Sequence, residues 1–316
     1  MIEKIKYLVK NFVTLPLSIN SLERNSLKEL NDSKHLTAKI LINLIKQNGI
    51  YENIHQAEFK VSSQFGEDGI IQYLVNNISI DNKFFVEFGV EDYKEANTRF
   101  LLVNNNWSGL VLDGNDNNIC KLQQETIYWQ HDLTAVAAFL DRDNINCIIG
   151  QNVSGEIGIL SIDVDGNDYW IWKNITIVDP IIVICEYNSL LGNKYALTIP
   201  YDPLFVRGRS HFSHLYWGCS LKALCLLAEE KGYYFVGSNS HGHNAFFVRK
   251  DKVGSIKCQN VETGYVTSKY RESRNEQGQL SFIGGNNRLG LIEDMDIYNL
   301  ESGEILKIRD LGDLSI

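Results

Sequence analysis

Between residues 84 and 250, short apolar runs alternate with stretches whose apolar residues recur every three to four positions. The runs fall at 84–90, 109–113, 127–130, 157–163 and 181–187, and helical spacing fills 95–105, 116–125, 134–142 and 168–175. Short apolar runs bounded by turn residues read as buried strands. Their alternation with helices predicts a parallel sheet covered on both faces. A helix over 219–231 then leads into YYFVGSN and NAFFVRK, two strands joined by a turn at Ser240–His243. Upstream, Ser63 is placed to cap a helix within 61–78 that carries Ile70, Ile71, Leu74 and Val75 on one face. Residues 1–60 show helical spacing, with Leu36, Ile40, Leu41, Leu44 and Ile45, and read as a lead-in covering the core or a partner in a homodimer. Residues 251–316 are more polar, with short β-like pieces such as QLSFIGG and EILKIRDL. The expected organisation is a helical segment over 1–60, an α/β core over 61–250 and a small β-rich appendage over 251–316.

Composition narrows the class of partner. The 316 residues are 44% hydrophobic and 22% charged, with a net charge of −9. An acidic chain is a poor match for a nucleic-acid backbone. The six cysteines, at 120, 147, 185, 219, 225 and 258, form no Cys-x-x-Cys pair and sit partly in apolar runs. They read as thiols of a reducing compartment, so a cytoplasmic location is expected. No apolar run approaches 18 residues and the start is too interrupted by Lys and Asn for a signal peptide, so no integral membrane segment is expected.

Residues 84–115 carry the most specific chemistry. A strand ends in Glu87-Phe88-Gly89, a helix follows, and a second strand ends in Asp113, 26 residues after Glu87. In a parallel α/β unit a glycine there lets the backbone approach a ligand, and the acid after the second strand accepts both hydroxyls of a ribose. The dinucleotide pattern G-x-G-x-x-G is missing, because Gly89 is followed by Val90, Glu91, Asp92 and Tyr93. Two acids there would repel a pyrophosphate but suit a cationic sulfonium. S-adenosylmethionine therefore fits better than NAD.

Strand C-termini of such a sheet share one edge, where ligands bind. Glu87 and Gly89 would face the methionine part of the cofactor, Asp113 and Asn115 its ribose, and Asp132, expected after the third strand with His131, its adenine amino group. The fourth strand delivers Asp163, Asp165 and Asp168, and the fifth Glu186 and Asn188. Clustered acids repel unless a cation or donors compensate, and Asp163, Asp165, Glu186 and Asn188 would make an oxygen shell for Mg²⁺. Such an ion would hold two hydroxyls and lower the pKa of one. The long segment 189–218 is rich in aromatics, Arg and His. Tyr187 and Tyr201 would stack on a sugar face, while Arg207 and Arg209 would hold phosphate or carboxylate. His214, His241 and His243 are the candidate bases, together with Asp163.

SSQFGEDGII, VEFGVEDYKEANTRFL, WSGLVLDGN, LSIDVDGNDYWIW, CEYN and GHNAFFV together resemble the FkbM-like S-adenosylmethionine-dependent methyltransferases over about residues 60–250. A weaker echo lies in YRESRNEQGQLSFIGG. The resemblance implies a Rossmann-like seven-stranded sheet of class I methyltransferase type and O-methylation of a sugar, polyketide or glycan. It also implies a cofactor site lined by Gln64, Gly66 and Asp68, by the Glu87/Gly89 turn and by the Asn97-Thr98 block, with Asp163 and Glu186 as metal-holding acids. Tyr93 stands where many methyltransferases have a second glycine, and Asn188 where an acid would be expected.

Two other classes fit part of the pattern. Asp163-Val164-Asp165 is also the D-x-D arrangement of metal-dependent glycosyltransferases, but the Glu87, Gly89 and Asp113 unit has no counterpart role there. The fold could also serve as a non-catalytic binding module.

Overall fold

The computed structural model describes residues 25, 26 and 28–312. Contacts divide the chain into two units, Met1–Gln47 and Asn48–Ile316. Helix α1 runs over 28–48, as the spacing of Leu36, Ile40 and Leu44 predicts, while the earlier part of the expected lead-in lies outside the described residues.

The second unit is built on a seven-stranded sheet. Its strands are β1 (Phe84–Phe88), β2 (Ser108–Asp113), β3 (Leu133–Ala137), β4 (Gly155–Ile162), β5 (Val178–Glu186), β7 (Tyr233–Ser238) and β8 (Asn244–Arg249), with the two-residue β6 (Leu197–Thr198) lying elsewhere. The order is β3-β2-β1-β4-β5-β8-β7, parallel throughout except for β8, which runs antiparallel to both its neighbours. This is the mostly parallel, Rossmann-like seven-stranded sheet that the sequence predicts. Strands β1, β4 and β5 are almost wholly apolar because both faces are covered. Helices α2 (Glu67–Asn77), α3 (Arg99–Asn105), α4 (Asp116–Gln124), α5 (Thr126–Gln130), α6 (Ile145–Gly150), α7 (Asp168–Asn174) and α9 (Leu221–Lys231) supply the connections and covering layers. Ser63 does accept the Asp68 N–H at 3.1 Å, although Gly66 occupies the N-cap of α2.

One stretch is inverted relative to expectation. Residues 127–130 belong to helix α5, and the third strand is Leu133–Ala137 within the stretch expected to be helical. TIYWQ is aromatic and β-branched, and a run that short cannot separate strand from helix by periodicity. Its Trp129 is 72% exposed, which a buried strand would not allow. LTAVA alternates buried and open positions at the sheet edge. His131 and Asp132 consequently precede β3, at the opposite edge from its C-terminus.

A three-stranded sheet, β10-β9-β6, joins β6 to β9 (Asp296–Asn299) and β10 (Glu304–Lys307). Leu197, Trp217, Ile292 and Ile297 share its apolar core, so the segment after β5 and the end of the chain form one structure. Among the described residues no helix is long and apolar enough to cross a membrane.

Candidate active site

The chain order reverses between β1 and β4, which opens a crevice outside their C-terminal ends. A cavity of about 770 Å³ lies there. It runs from Gly89, Asp113 and Asn115 to Asp163, Glu186 and Asn244. That size is ordinary for a small-molecule site.

Gly89 sits where the ends of β1 and β4 converge. Its φ is +69°, and a Cβ there would lie 1.7 Å from the carbonyl oxygen of Asp163. Asp113 fixes the same loop from the other side. Its Oδ2 accepts the Glu91 N–H at 2.8 Å, and its Oδ1 accepts the Asn115 N–H at 2.8 Å and the Asn118 side-chain N–H at 3.3 Å. The Asp113 carboxylate is 8% exposed at the cavity wall and retains lone pairs for a ligand.

Glu87 does other work. Its carboxylate accepts the backbone N–H groups of Asn97 (2.8 Å) and Thr98 (3.1 Å) and the Thr98 hydroxyl, fixing the turn ahead of α3. Asn97 thereby reaches the cavity wall, its amide donating to Ser161 Oγ at 3.1 Å, while Thr98 is fully buried. Asp68 likewise organises a loop: its Oδ2 accepts the N–H groups of Val61, Ser62 and Ser63 at 2.7–2.8 Å. Gly66 leaves room for Glu58, whose Cβ would lie 2.7 Å from an added Cβ. Of that block only Gln64 lines the cavity.

Burial pushes the Glu87 carboxyl up to about 7, the hydrogen bonds from Thr98 and Asn97 opposing the shift. A carboxyl raised on folding stabilises the fold fully below its unfolded pKa, and that contribution is lost as pH rises through the folded value. For Glu87 the window lies between its ordinary 4.5 and about 7. The loss amounts to about 3 kcal/mol. Thermal melting of the ligand-free protein is expected to move down by several degrees between about pH 5 and pH 8. Glu87→Gln should flatten that slope. A midpoint that climbs over the same range would exclude the assignment.

At the other end of the cavity, ligand oxygens of Asp163, Asp165 and Glu186 lie within 4.8 Å of one another. Burial raises Asp163 and Glu186 well above the ordinary carboxyl range; the charges of Asp165 and Asp168 add to it at Asp163, and those of Asp163, Asp165 and Asp168 at Glu186. Glu186 is 8% exposed and its Oε2 has no hydrogen-bond partner. Asp165 is taken: its Oδ1 accepts from Arg207 Nη1 at 2.7 Å. Asp168, pushed up to about 6 by burial, accepts the N–H groups of Val164 and Gly166 and shapes the turn.

Asn188 departs from its expected role as a metal ligand. Its amide donates to the carbonyls of Leu215 and Trp217, both at 3.0 Å, and its Oδ1 accepts the Leu190 N–H at 3.1 Å. It ties the segment after β5 together. Of the four expected ligands, Asp163, Asp165 and Glu186 are gathered while Asn188 is engaged with the backbone, and the Arg207 guanidinium stands against Asp165.

Other expectations separate in the same way. Asp132 lies at the opposite sheet edge, its carbonyl accepting the Gly109 N–H at 3.0 Å, and does not line the cavity. The residues that follow β3 there are Ala138, Phe139 and Leu140. Tyr187 is buried at the border of the small pocket, its hydroxyl donating to Val266 O at 2.8 Å, and does not line the main cavity. Tyr201 lies under the Arg142 guanidinium, 4.2 Å from the ring centroid, away from the cavity. Arg209 is exposed and outside it, whereas Arg207 is in its wall. His241 is exposed and stacks on Phe65 with centroids 4.0 Å apart. His214 borders an adjoining 330 Å³ hollow beside Arg207. Burial pushes His243 down to about 4, and its Nε2 is 3.3 Å from Ser268 Oγ.

The sequence reading missed the contribution of the C-terminal segment. Glu272 lines the main cavity, and Ser268, Tyr270 and Arg288 border a small pocket that shares Glu186 and Arg207 with it. The echo in YRESRN was the only signal for them. Phe139, 50% exposed at the cavity, was hidden by the inverted assignment of β3.

No protein-family model matches this chain, and no curated protein matches it. Solved structures similar to it include the N-terminal domain of EvdMO1 with SAH bound, at 11% identity over 67% of this chain and 94% of that one, with a TM-score of 0.36. An S-adenosylmethionine-dependent methyltransferase from Clostridium acetobutylicum matches at 7% identity over 58% and 90%, TM-score 0.36. An O-methyltransferase from Bacillus cereus in complex with SAH matches at 13% identity over 66% and 88%, TM-score 0.35. The fold is defined by the strand order itself.

Proposed function

We propose that this protein is an S-adenosylmethionine-dependent O-methyltransferase of the FkbM-like kind, acting on a hydroxyl of a sugar, a glycan precursor or a related small molecule. The observation that carries this reading is one continuous cavity at the β1/β4 reversal. Asp113 and the Gly89 turn lie at one end of it and a buried carboxyl pair at the other. Asp113 would accept the ribose hydroxyls, Phe139 would stack on the adenine, and Asn97 and Gln64 would lie along the methionine part.

The acceptor oxygen would attack the methyl carbon in line with the departing sulfur. The carbon–sulfur bond breaks as the carbon–oxygen bond forms, leaving neutral S-adenosylhomocysteine. The hydroxyl proton goes to Asp163, whose burial near Asp165 and Asp168 raises its proton affinity. His243 is too weak a base for this task, and His241 lies outside the cavity. Positioning supplies much of the acceleration.

The pattern of a D-x-D glycosyltransferase is not favoured. A nucleotide diphosphate would meet Glu91, Asp163 and Glu186, with Arg207 already committed to Asp165.

Calorimetric titration of the full chain with S-adenosylhomocysteine tests the reading. Saturable binding in the micromolar range is expected, and its absence would sink it. With Arg207 supplying the positive charge at Asp165, Mg²⁺ and EDTA are expected to give the same affinity. A marked gain with Mg²⁺ would restore the metal site.

A further inference from the structure

The two ends of the cavity differ in how their charges are met. Eight acidic side chains line it, among them Asp163, Asp165, Glu186 and Glu272, against Arg207 as the one basic side chain. Arg207 is already occupied. It donates to Asp165 at 2.7 Å and to the His214 carbonyl at 2.8 Å, lies 3.9 Å from Glu272, and sits over the Trp217 ring. Arg288, bordering the small pocket, spends its guanidinium on the carbonyls of Tyr270 and Ser268, each at 2.6 Å. No cation of the described residues is left for an anionic ligand at this end.

Two buried polar atoms nearby have no partner. One is Oε2 of Glu186; the other is Nδ1 of His243. Both residues border the small pocket of about 80 Å³ that opens off the main cavity. The contact of Nε2 with Ser268 Oγ at 3.3 Å allows the Nε2–H tautomer, in which Nδ1 is an acceptor. A carboxylate oxygen and a ring nitrogen acting as acceptors each call for a donor from whatever enters the pocket. An uncompensated buried carboxylate favours a cationic donor most.

Building on the methyltransferase reading, we propose that the acceptor carries an ammonium group beside the hydroxyl that is methylated, as in an amino sugar or an aminocyclitol. Glu186 Oε2 holds that group and His243 Nδ1 receives a second N–H. The ammonium also takes over the compensation of Glu186 and leaves Asp163 free to receive the hydroxyl proton. Phosphorylated acceptors meet an excess of carboxylates here, with Arg207 already paired, and are rejected.

Ligand-observed NMR on the full chain loaded with S-adenosylhomocysteine tests this near neutral pH, with D-glucosamine, 2-deoxystreptamine, D-glucose and D-glucose 6-phosphate as probes. At least one amine probe is expected to bind about tenfold tighter than D-glucose. D-glucose 6-phosphate is expected to bind least. Glu186→Gln should remove the amine preference while S-adenosylhomocysteine binding persists. If that variant does not fold, Glu272→Gln, which also borders both cavities, should reduce the preference about threefold through the weaker field. Amine probes that bind no better than D-glucose, or tightest binding of the phosphate, would overturn the proposal. In that case retained S-adenosylhomocysteine binding leaves the methyltransferase reading standing, whereas its loss removes both.

Discussion

Gly89→Ala is expected to abolish S-adenosylhomocysteine binding and to lower stability by roughly 3 kcal/mol or more. Two penalties combine at this position. The φ of +69° is strained for any residue with a Cβ, at about 1–2 kcal/mol. The added carbon would also lie 1.7 Å from the Asp163 carbonyl oxygen, which belongs to the backbone and cannot swing away. Either the Gly89 turn or the end of β4 must shift, and those two segments form the middle of the cavity. Gly155→Ala separates the two penalties. Its φ is +78°, with nothing within 4 Å of an added Cβ, so only the conformational cost should appear and cofactor binding should persist. Thermal melts and titrations of both variants are the measurement. A Gly89→Ala protein that binds like the parent would show that the turn is not part of the cofactor site.

Asp113→Ala is expected to weaken S-adenosylhomocysteine binding by about a hundredfold or more, through the loss of two charge-assisted hydrogen bonds to the ribose. The same carboxylate holds the Glu91 and Asn115 N–H groups, so some of the loss would come from the loosened loop. A 2′-deoxyribose analogue of S-adenosylhomocysteine resolves the two contributions. The parent protein should discriminate strongly against it, and the variant hardly at all. Equal discrimination by both proteins would assign Asp113 to loop structure alone.

Much of the frame was legible in the linear pattern. The four strands β1, β2, β4 and β5 are near-continuous apolar runs because each is buried on both faces, and burial of that kind leaves its mark in composition alone. Their ends carry Gly89, Asp113, Asp163 and Glu186, and the parallel topology delivers all four to one edge. Strand β3 was not legible, because an edge strand is covered less and its apolar signal falls below that of the neighbouring helix α5. Asp132 and Phe139 exchanged importance through that single displacement.

By itself the sequence determined the α/β alternation and the acids and glycine at the strand ends, since these follow from local periodicity and from the shared direction of parallel strands. The tertiary structure alone decided which of those side chains are free. Glu87 spends its carboxylate on the turn at Asn97-Thr98 and Asn188 its amide on the carbonyls of Leu215 and Trp217, while Asp68 gives one oxygen to the loop just before it. Asp165 meets Arg207, 42 residues away, and Glu272 reaches the cavity from beyond the main sheet. Hydrogen-bond saturation depends on distances between segments far apart in sequence, and no local pattern encodes them.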